Sequence, residues 1–245
     1  MSDYGGSVVV VSGAAGELGE PIVRRFSREG ATVIVADVRR QQGQELASQL
    51  GERCHFVPLD VTEESDWHRV LQLLKQLEQP FNALIQCAGI LEVGSITDQE
   101  PAVFRRVVET NLFGTWLGMH VLGPLLRQSK TGVIVNFSST HGIYAKQHMG
   151  AYAASKWGIR GLTKTAALEF ARDGVRVLSI HPGPIRTEMA SIFDPSQFSA
   201  MAIPRFGEPE EVASMVWFMA SEATFSTGSE FVVDGGILLG ALAAE

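Results

Sequence analysis

Seven short runs of apolar, largely β-branched residues recur along this chain, with longer amphipathic segments between them. The runs are residues 7–12, 32–36, 55–58, 83–86, 133–137, 175–180 and 230–233. Helical patterns cover residues 18–29, 41–50, 65–77, 102–127, 151–172 and 209–221. Short, continuously apolar strands alternating with helices bury both their faces only in a parallel sheet covered on each side. Crossovers between parallel strands are right-handed. The expected fold is therefore α/β: a Rossmann-type, doubly wound, seven-stranded parallel sheet with ligands at the carboxyl ends of its strands. No Pro/Ser-rich linker and no internal repeat divides the 245 residues, so one domain, 1–245, is expected.

The first run passes into "SGAAGELG", a glycine turn that opens a helix. Gly13, Gly16 and Gly19 let backbone amides approach a pyrophosphate, and the helix presents its positive end there. Glu17 puts a negative charge inside the same turn. We read the turn as shifted, with Gly16 giving the close approach and Glu17 pointing to solvent. Pro21 suits a first helical turn, where no N–H partner is needed. Asp37 ends the second run about 20 residues on, where an acid accepts from both hydroxyls of an adenosine ribose. A carboxylate there repels a 2′-phosphate, which favours NAD over NADP. Arg39 and Arg40 read as a solvated face near the next helix.

Further signals fall at the ends of later strands. Asp60, in "PLDVT", either accepts from an adenine amino group, with Val61 on the ring, or caps a turn. Ala88 and Gly89, in "CAG", permit close approach of a cofactor to backbone.

Tyr152 and Lys156 stand one helical turn apart in "YAASK" and share a face. A free phenol has a pKa near 10 and is a poor base at neutral pH. An ammonium about 5 Å away, at an effective dielectric near 20, contributes about 3 kcal/mol. That would lower the phenol's pKa by about two. Tyr152 would then exchange a proton with an alcohol or ketone. Ser139, at the end of the fifth run, would hydrogen-bond the same substrate oxygen. Asn111 lies within a long helix, where it bends the helix, holds a water beside Lys156, or sits on an exposed face.

With these residues in view, the chain resembles the single-domain branch of the short-chain dehydrogenase/reductases. The matching pieces are "SGAAGELG", "ADV", "LDVT", "CAG", "TNLFG", "FSS", "YAASKWGIRGLTK", "HPGPIRT" and "TGSEFVVDGG". Within the family it looks most like NAD-dependent bacterial hydroxysteroid dehydrogenases. The resemblance implies a catalytic tetrad of Asn111, Ser139, Tyr152 and Lys156, with Tyr152 as acid/base. It implies that Lys156 also holds the nicotinamide ribose and that Asn111 supports a relay water. It places Ser12, Leu18, Pro182, Gly183, Ile185 and Thr187 at the cofactor, beside the residues above. Ile185 and Thr187 match the positions that hold the carboxamide. "QCAG" departs from the family pattern, so Gln86 and Cys87 stand where two amides steady the central strands.

An NAD-dependent oxidoreductase interconverting secondary alcohols and ketones is thus expected, on an apolar cyclic substrate such as a hydroxysteroid. The other readings are a dinucleotide-binding sensor or scaffold, and, on glycine spacing alone, the longer branch with nucleotide-sugar epimerases. Expected substrate contacts are His141, Ile143, Tyr144, His148 and Met149, with Met189, Ile192 and Phe193 from residues 186–208. That segment reads either as a lid or as a surface crossover. A net charge of −7 argues against nucleic acid and anionic membrane as partners. Cys54 and Cys87 lack metal-like spacing, so no metal and a reduced, cytoplasmic setting are expected. The opening "MSDYGG" has no signal-peptide pattern. A homo-oligomer, tetramer or dimer, is expected from the family, the long helices and the apolar tail at 235–244.

Overall fold

The computed structural model describes residues 4–240. All seven apolar runs pair in parallel, in the order β3-β2-β1-β4-β5-β6-β7. The strands are β1 (Val8–Ser12), β2 (Thr32–Asp37), β3 (Cys54–Pro58), β4 (Phe81–Gln86), β5 (Val133–Phe137), β6 (Arg176–Pro182) and β7 (Glu230–Val233). The helices are α1 (Gly19–Arg28), α2 (Arg40–Leu50), α3 (Glu64–Leu77), α4 (Pro101–Val108), α5 (Gly114–Leu126), α6 (Gly150–Phe170) and α7 (Pro209–Ser221). Strand order reverses direction between β1 and β4, which opens a crevice at their carboxyl ends.

Alternation along each strand builds two cores. Val9, Val11, Val33, Val35 and Ile85 face α1 and α7, against Ile22, Phe26, Val212 and Val216. Val8, Val10, Ile34, Leu84 and Ile134 face α3, α5 and α6, against Trp67, Val70, Leu122 and Phe170. Trp67 is fully buried, and its Nε1 donates to the Val61 carbonyl at 3.0 Å. Each such aliphatic or Phe side chain contributes about 1.5–3 kcal/mol by leaving water.

Two devices fix α7. Glu208 and Glu211 form a reciprocal capping box around Pro209 at its start. At its end, Arg176 from β6 donates to the carbonyls of Met219 (2.8 Å), Ala220 (2.7 Å) and Ala223 (3.1 Å). The first two are carbonyls that the helix end leaves without intrahelical partners, and Ala223 lies just beyond it.

One expected element is different. The helix expected at 102–127 is two helices joined by a π-helical turn, Glu109–Phe113. Between β4 and β5, Gln86 Nε2 donates to the Thr115 carbonyl and to Asn136 Oδ1, both at 2.9 Å. Its Oε1 has no partner among the described residues. Gln86 thus carries the donor role of an amide there and leaves an acceptor buried and unpaired. Among the described residues, no helix is long and apolar enough to cross a membrane. The tail cited for association lies partly outside the described residues, at 241–244.

Candidate active site

At the end of β1 the chain turns at Gly13, with φ 65°. A Cβ on Gly13 would stand 2.7 Å from the Ala88 backbone, and one on Gly19 would stand 2.1 Å from the Gly13 carbonyl. Only glycine fits either position, so the turn lies flat against the end of β4. Asp37, 3% exposed, braces it from β2. Its Oδ2 accepts the Ala15 N–H at 2.9 Å, and its Oδ1 accepts the Arg39 N–H at 2.9 Å and Nε at 3.4 Å. Arg39 is therefore not simply part of a solvated face. A buried carboxylate needs a partner, and the guanidinium folds back until Nη2 would lie 2.8 Å from a Cβ on Gly16. The absence of a side chain on Gly16 makes that position possible.

Glu17 is exposed, yet it does not simply point into solvent. Its carboxylate accepts the Glu188 N–H at 2.6 Å. Glu188 opens a short 3-10 turn whose first N–H groups lack internal partners. An anion therefore suits the place, and the glycine turn is tied to the segment after β6.

Asp60 is exposed at the end of β3, and its Oδ1 accepts the N–H (2.9 Å) and hydroxyl (2.7 Å) of Thr62. Val61 is buried, and Gly114 leaves the space it fills.

Tyr152 and Lys156 lie on α6, 8% and 4% exposed. Lys156 Nζ donates to the Phe137 carbonyl at 2.7 Å and stands 5.5 Å from the Tyr152 ring centre. Burial pushes the Tyr152 phenol up to about 12, against the lowering effect of its hydrogen bond with Ser139. Burial also pulls Lys156 down to about 8. The expected lowering of the phenol by the ammonium is therefore not present in the bare protein. Stripping water from a buried phenol dominates, and what it outweighs is the hydrogen bond with Ser139.

Ser139 is held from two sides. Its Oγ accepts the His141 N–H at 3.1 Å. His181, fully buried on β6, meets the Ser139 carbonyl through Nδ1 at 3.1 Å and Ser179 Oγ through Nε2 at 2.9 Å. A carbonyl only accepts, so Nδ1 carries the proton and Nε2 accepts from Ser179. Ser138 Oγ donates to the Lys156 carbonyl at 2.9 Å, pinning α6 to the end of β5.

Asn111 sits in the π turn and is fully buried, not on an exposed face. Its Oδ1 accepts the Ile90 N–H at 2.8 Å, and its Nδ2 donates to the Ile90 carbonyl (2.9 Å) and Ser155 Oγ (3.1 Å). One side chain thus joins the end of β4 to the residue before Lys156. Gly89 leaves the space between, since its Cβ would stand 3.3 Å from Asn111 Oδ1 and 3.5 Å from Lys156 Nζ.

These groups border a cleft of about 860 Å³, counted with its open mouth. Ser139, Tyr152 and Lys156 line it, as do Leu18, Gly89, Pro182, Gly183, Ile185 and Thr187. Of the expected substrate contacts, His141, Tyr144, Met189 and Phe193 line it too. Ile143, His148, Met149 and Ile192 do not. His148 is exposed with φ 65°, and its carbonyl accepts the Gly94 N–H at 2.8 Å. Met149 is buried at the head of α6, and Ile192 is 55% exposed. Half-buried Ile143 follows the 3-10 turn Thr140–Gly142, which directs the chain between Ser139 and α6. Leu91, Lys146, Phe198 and Ile237 line the cleft without having been expected there. Phe198 was visible as an apolar residue of the loop. Lys146, a cation in a polar stretch, carries no apolar or aromatic signal that would mark it for a substrate wall.

A dinucleotide fits what is present. The glycine turn, the buried Asp37 carboxylate, the bare Gly89 backbone and the buried Lys156 ammonium lie at the carboxyl ends of β1, β2, β4 and β5. A family model described as enoyl-(acyl carrier protein) reductase matches residues 13–238. The chain belongs to the short-chain dehydrogenase/reductase family. It is accordingly an oxidoreductase of the dehydrogenase type, acting on CH–OH groups. The 3-alpha-(or 20-beta)-hydroxysteroid dehydrogenase of Mycobacterium tuberculosis is 36% identical over 236 residues, 96% of this chain and 90% of that protein. The cyclopentanol dehydrogenase of Comamonas testosteroni is 35% identical over 246 residues, 96% of this chain and 98% of that protein. Among solved structures, that titled "Crystal structure of gox2181" superposes with a TM-score of 0.91 at 28% identity, covering 96% of each chain.

Proposed function

We propose that this protein is an NAD-dependent dehydrogenase of secondary, cyclic alcohols. The observation that carries the reading is the meeting of Ser139, Tyr152 and Lys156 on one apolar cleft, with Asn111 behind Lys156. The cited relatives, named for hydroxysteroids and cyclopentanol, support a cyclic substrate. Bound nicotinamide would supply the hydride chemistry. Asp37 would hold the adenosine ribose, Lys156 the nicotinamide ribose, and Ile185 and Thr187 the carboxamide.

Tyr152 is protonated at neutral pH in this site and is ready to donate to a ketone oxygen. In the oxidative direction it must first lose that proton. Lys156, still largely cationic at pH 7, is the group that favours the phenolate. Ser139 steadies the substrate oxygen. Residues 186–208 act as a substrate loop, with Phe193, Phe198 and Phe206 packed edge-to-face along it. We place the protein in the cytoplasm, in keeping with two free cysteines. Exposed Phe104, Phe113 and Trp116 on and between α4 and α5, with Trp157 and Leu168 on α6, support association into dimers or tetramers.

Glu17 keeps a second reading in play, that of a dinucleotide sensor without turnover. NADH absorbance with a panel of cyclic alcohols and ketones, beside Tyr152→Phe, separates the two. The dehydrogenase shows turnover that Tyr152→Phe removes. Cofactor binding with no turnover would support the sensor.

A further inference from the structure

Ser139 stands just past the end of the sheet that carries it. The pairing of β5 with β6 ends at Phe137 and Ile180, and the Ser138 N–H makes the last backbone bond across, to the Ile180 carbonyl at 2.9 Å. Beyond that point the Ser139 carbonyl accepts from the Gly142 N–H at 2.9 Å and from His181 Nδ1 at 3.1 Å. The two donors are unlike in kind. Gly142 belongs to the 3-10 turn that Ser139 itself opens, so it travels with Ser139. His181 belongs to β6, where it pairs with Val232 of β7. Its side chain supplies the cross-strand bond that the ladder no longer makes.

The ring is built for this contact. Val177, Ser179 and His181 share one face of β6, and the two polar residues interrupt an otherwise apolar strand core. Both are fully buried, where polar groups need partners. Ser179 Oγ meets His181 Nε2 at 2.9 Å. A hydroxyl can donate and a carbonyl cannot, so Ser179 leaves the ring proton on Nδ1, facing Ser139. Burial holds the pKa of His181 below the ordinary 6.5, which keeps the ring in that neutral form. His181 is not among the residues that line the cleft, although its neighbour Pro182 is. From Ser139 the contacts lead on to the reacting atoms, since its side chain accepts the His141 N–H and hydrogen-bonds the Tyr152 phenol.

We propose that His181 is a positioning residue for the reaction, acting through Ser139 to set where its hydroxyl holds the substrate oxygen beside Tyr152. It touches neither substrate nor cofactor. The inference rests on the dehydrogenase reading of the cleft. A misplacement of about 1 Å in such a group can cost about a hundredfold in rate.

The test compares two replacements that differ in reach. In His181→Asn the amide nitrogen stands where Nδ1 stood and still donates to the Ser139 carbonyl. In His181→Gln it stands nearer the place of Nε2 and meets Ser179 instead. Both should lower the urea midpoint by similar amounts. Oxidation of the best substrate from a panel of cyclic alcohols, followed by NADH absorbance, should separate them. His181→Gln should lose about ten- to a hundredfold in kcat with KM for alcohol and NAD little moved, and His181→Asn should keep most of kcat. Nitrogen-15 spectra of the histidine rings should show His181, assigned by its loss in His181→Asn, as the Nδ1–H tautomer. Equal kcat in the two folded variants, or an Nε2–H tautomer in the wild type, overturns the positioning role and leaves the dehydrogenase reading standing. Where His181→Gln does not fold, Ser179→Ala keeps the ring and removes the donor that fixes its tautomer. It should lower kcat severalfold, and an unchanged kcat overturns the proposal. A wild type that oxidises none of the panel overturns the dehydrogenase reading, and the positioning role falls with it.

Discussion

Lys156 gives its Nζ hydrogen bond to the Phe137 carbonyl at 2.7 Å, so the ammonium is moored to β5 and not to the phenol it serves. Removing the phenol and removing the ammonium should therefore have different results. Tyr152→Phe should lower kcat by about 10²–10⁴-fold, the usual worth of a positioned acid/base. The helix should be undisturbed and cofactor affinity nearly kept. Lys156→Met should cost kcat and also stability, by about 1–3 kcal/mol, because a buried carbonyl loses its donor. Steady-state kinetics with a urea titration of each variant reads both effects.

The directions at Tyr152 and Lys156 set the pH dependence. Burial raises the phenol to about 12, so its deprotonated form is scarce at pH 7. Alcohol oxidation, which needs that form, should increase from pH 7 upward. Ketone reduction, which needs the neutral phenol, should be flat through neutrality and decline in alkali. Lys156, lowered to about 8, loses its charge over the same range and should flatten the oxidative rise above that pH. Profiles of kcat/KM in the two directions check this, and an oxidative profile that falls from pH 6 to 8 would contradict it.

On the NAD-dependent reading proposed above, Asp37 carries the cofactor choice. With its carboxylate at the end of β2, NADP should be used far less well than NAD. Asp37→Ser removes the repulsion and leaves Arg39 free to meet a 2′-phosphate, so the preference should move toward NADP by tenfold or more, about 1.4 kcal/mol. Asp37→Ser with Arg39→Ala should lose the NADP gain. Cofactor titrations of the three proteins decide it.

Glu17 makes a smaller and different claim. It holds the Glu188 N–H at 2.6 Å, so Glu17→Gly should loosen the segment that carries Met189 and Phe193. Limited proteolysis within residues 186–208 should speed up. NAD affinity should change by less than tenfold, about 1.4 kcal/mol. A larger gain in affinity would mean that the carboxylate obstructs the pyrophosphate.

Acid should unfold the protein in two stages. Burial lowers the pKa of His181, so the stability that depends on its neutral ring is complete above the ordinary 6.5 and is lost as pH falls below it. Glu230 behaves differently. Burial would raise it, but hydrogen bonds from Arg160 and Lys164 outweigh that and bring it to about 2. Its contribution is present above the ordinary 4.5 and is lost between there and about 2. Glu230→Gln should cost about 1 kcal/mol at pH 7 and remove the lower stage. Urea midpoints from pH 7 to pH 3 would show it. Arg160 also donates to the Gly142 carbonyl at 2.7 Å, so activity should follow stability in this variant.

Strands and helices were legible because a strand buried on both faces must be apolar at every position, as Val8–Val11 are. Tyr152 and Lys156 were legible for a local reason, since four residues on a helix return to one face. What stayed hidden depended on distant partners. His181 reads as an ordinary strand residue until β6 lies beside Ser139. Arg39 reads as solvated until the buried Asp37 draws it back. Lys146 and Ile237 are brought to one cleft by elements far apart in the chain, and no local spacing records that. The unbroken helix expected at 102–127 failed because a π turn keeps the helical pattern while adding one residue.

That added residue has a consequence for how the chain can change in length. Each residue turns a helix by about 100°. Deleting any one of Glu109–Phe113 would yield a more regular helix and a less serviceable protein. Asn111 would swing off the Ile90 backbone, or the exposed Phe113–Trp116–His120 ladder would rotate against the rest of the surface. Here the chain can accept a changed side chain more readily than a changed count. The π turn acts as a frame marker that keeps the catalytic edge and the outer face of α5 in phase.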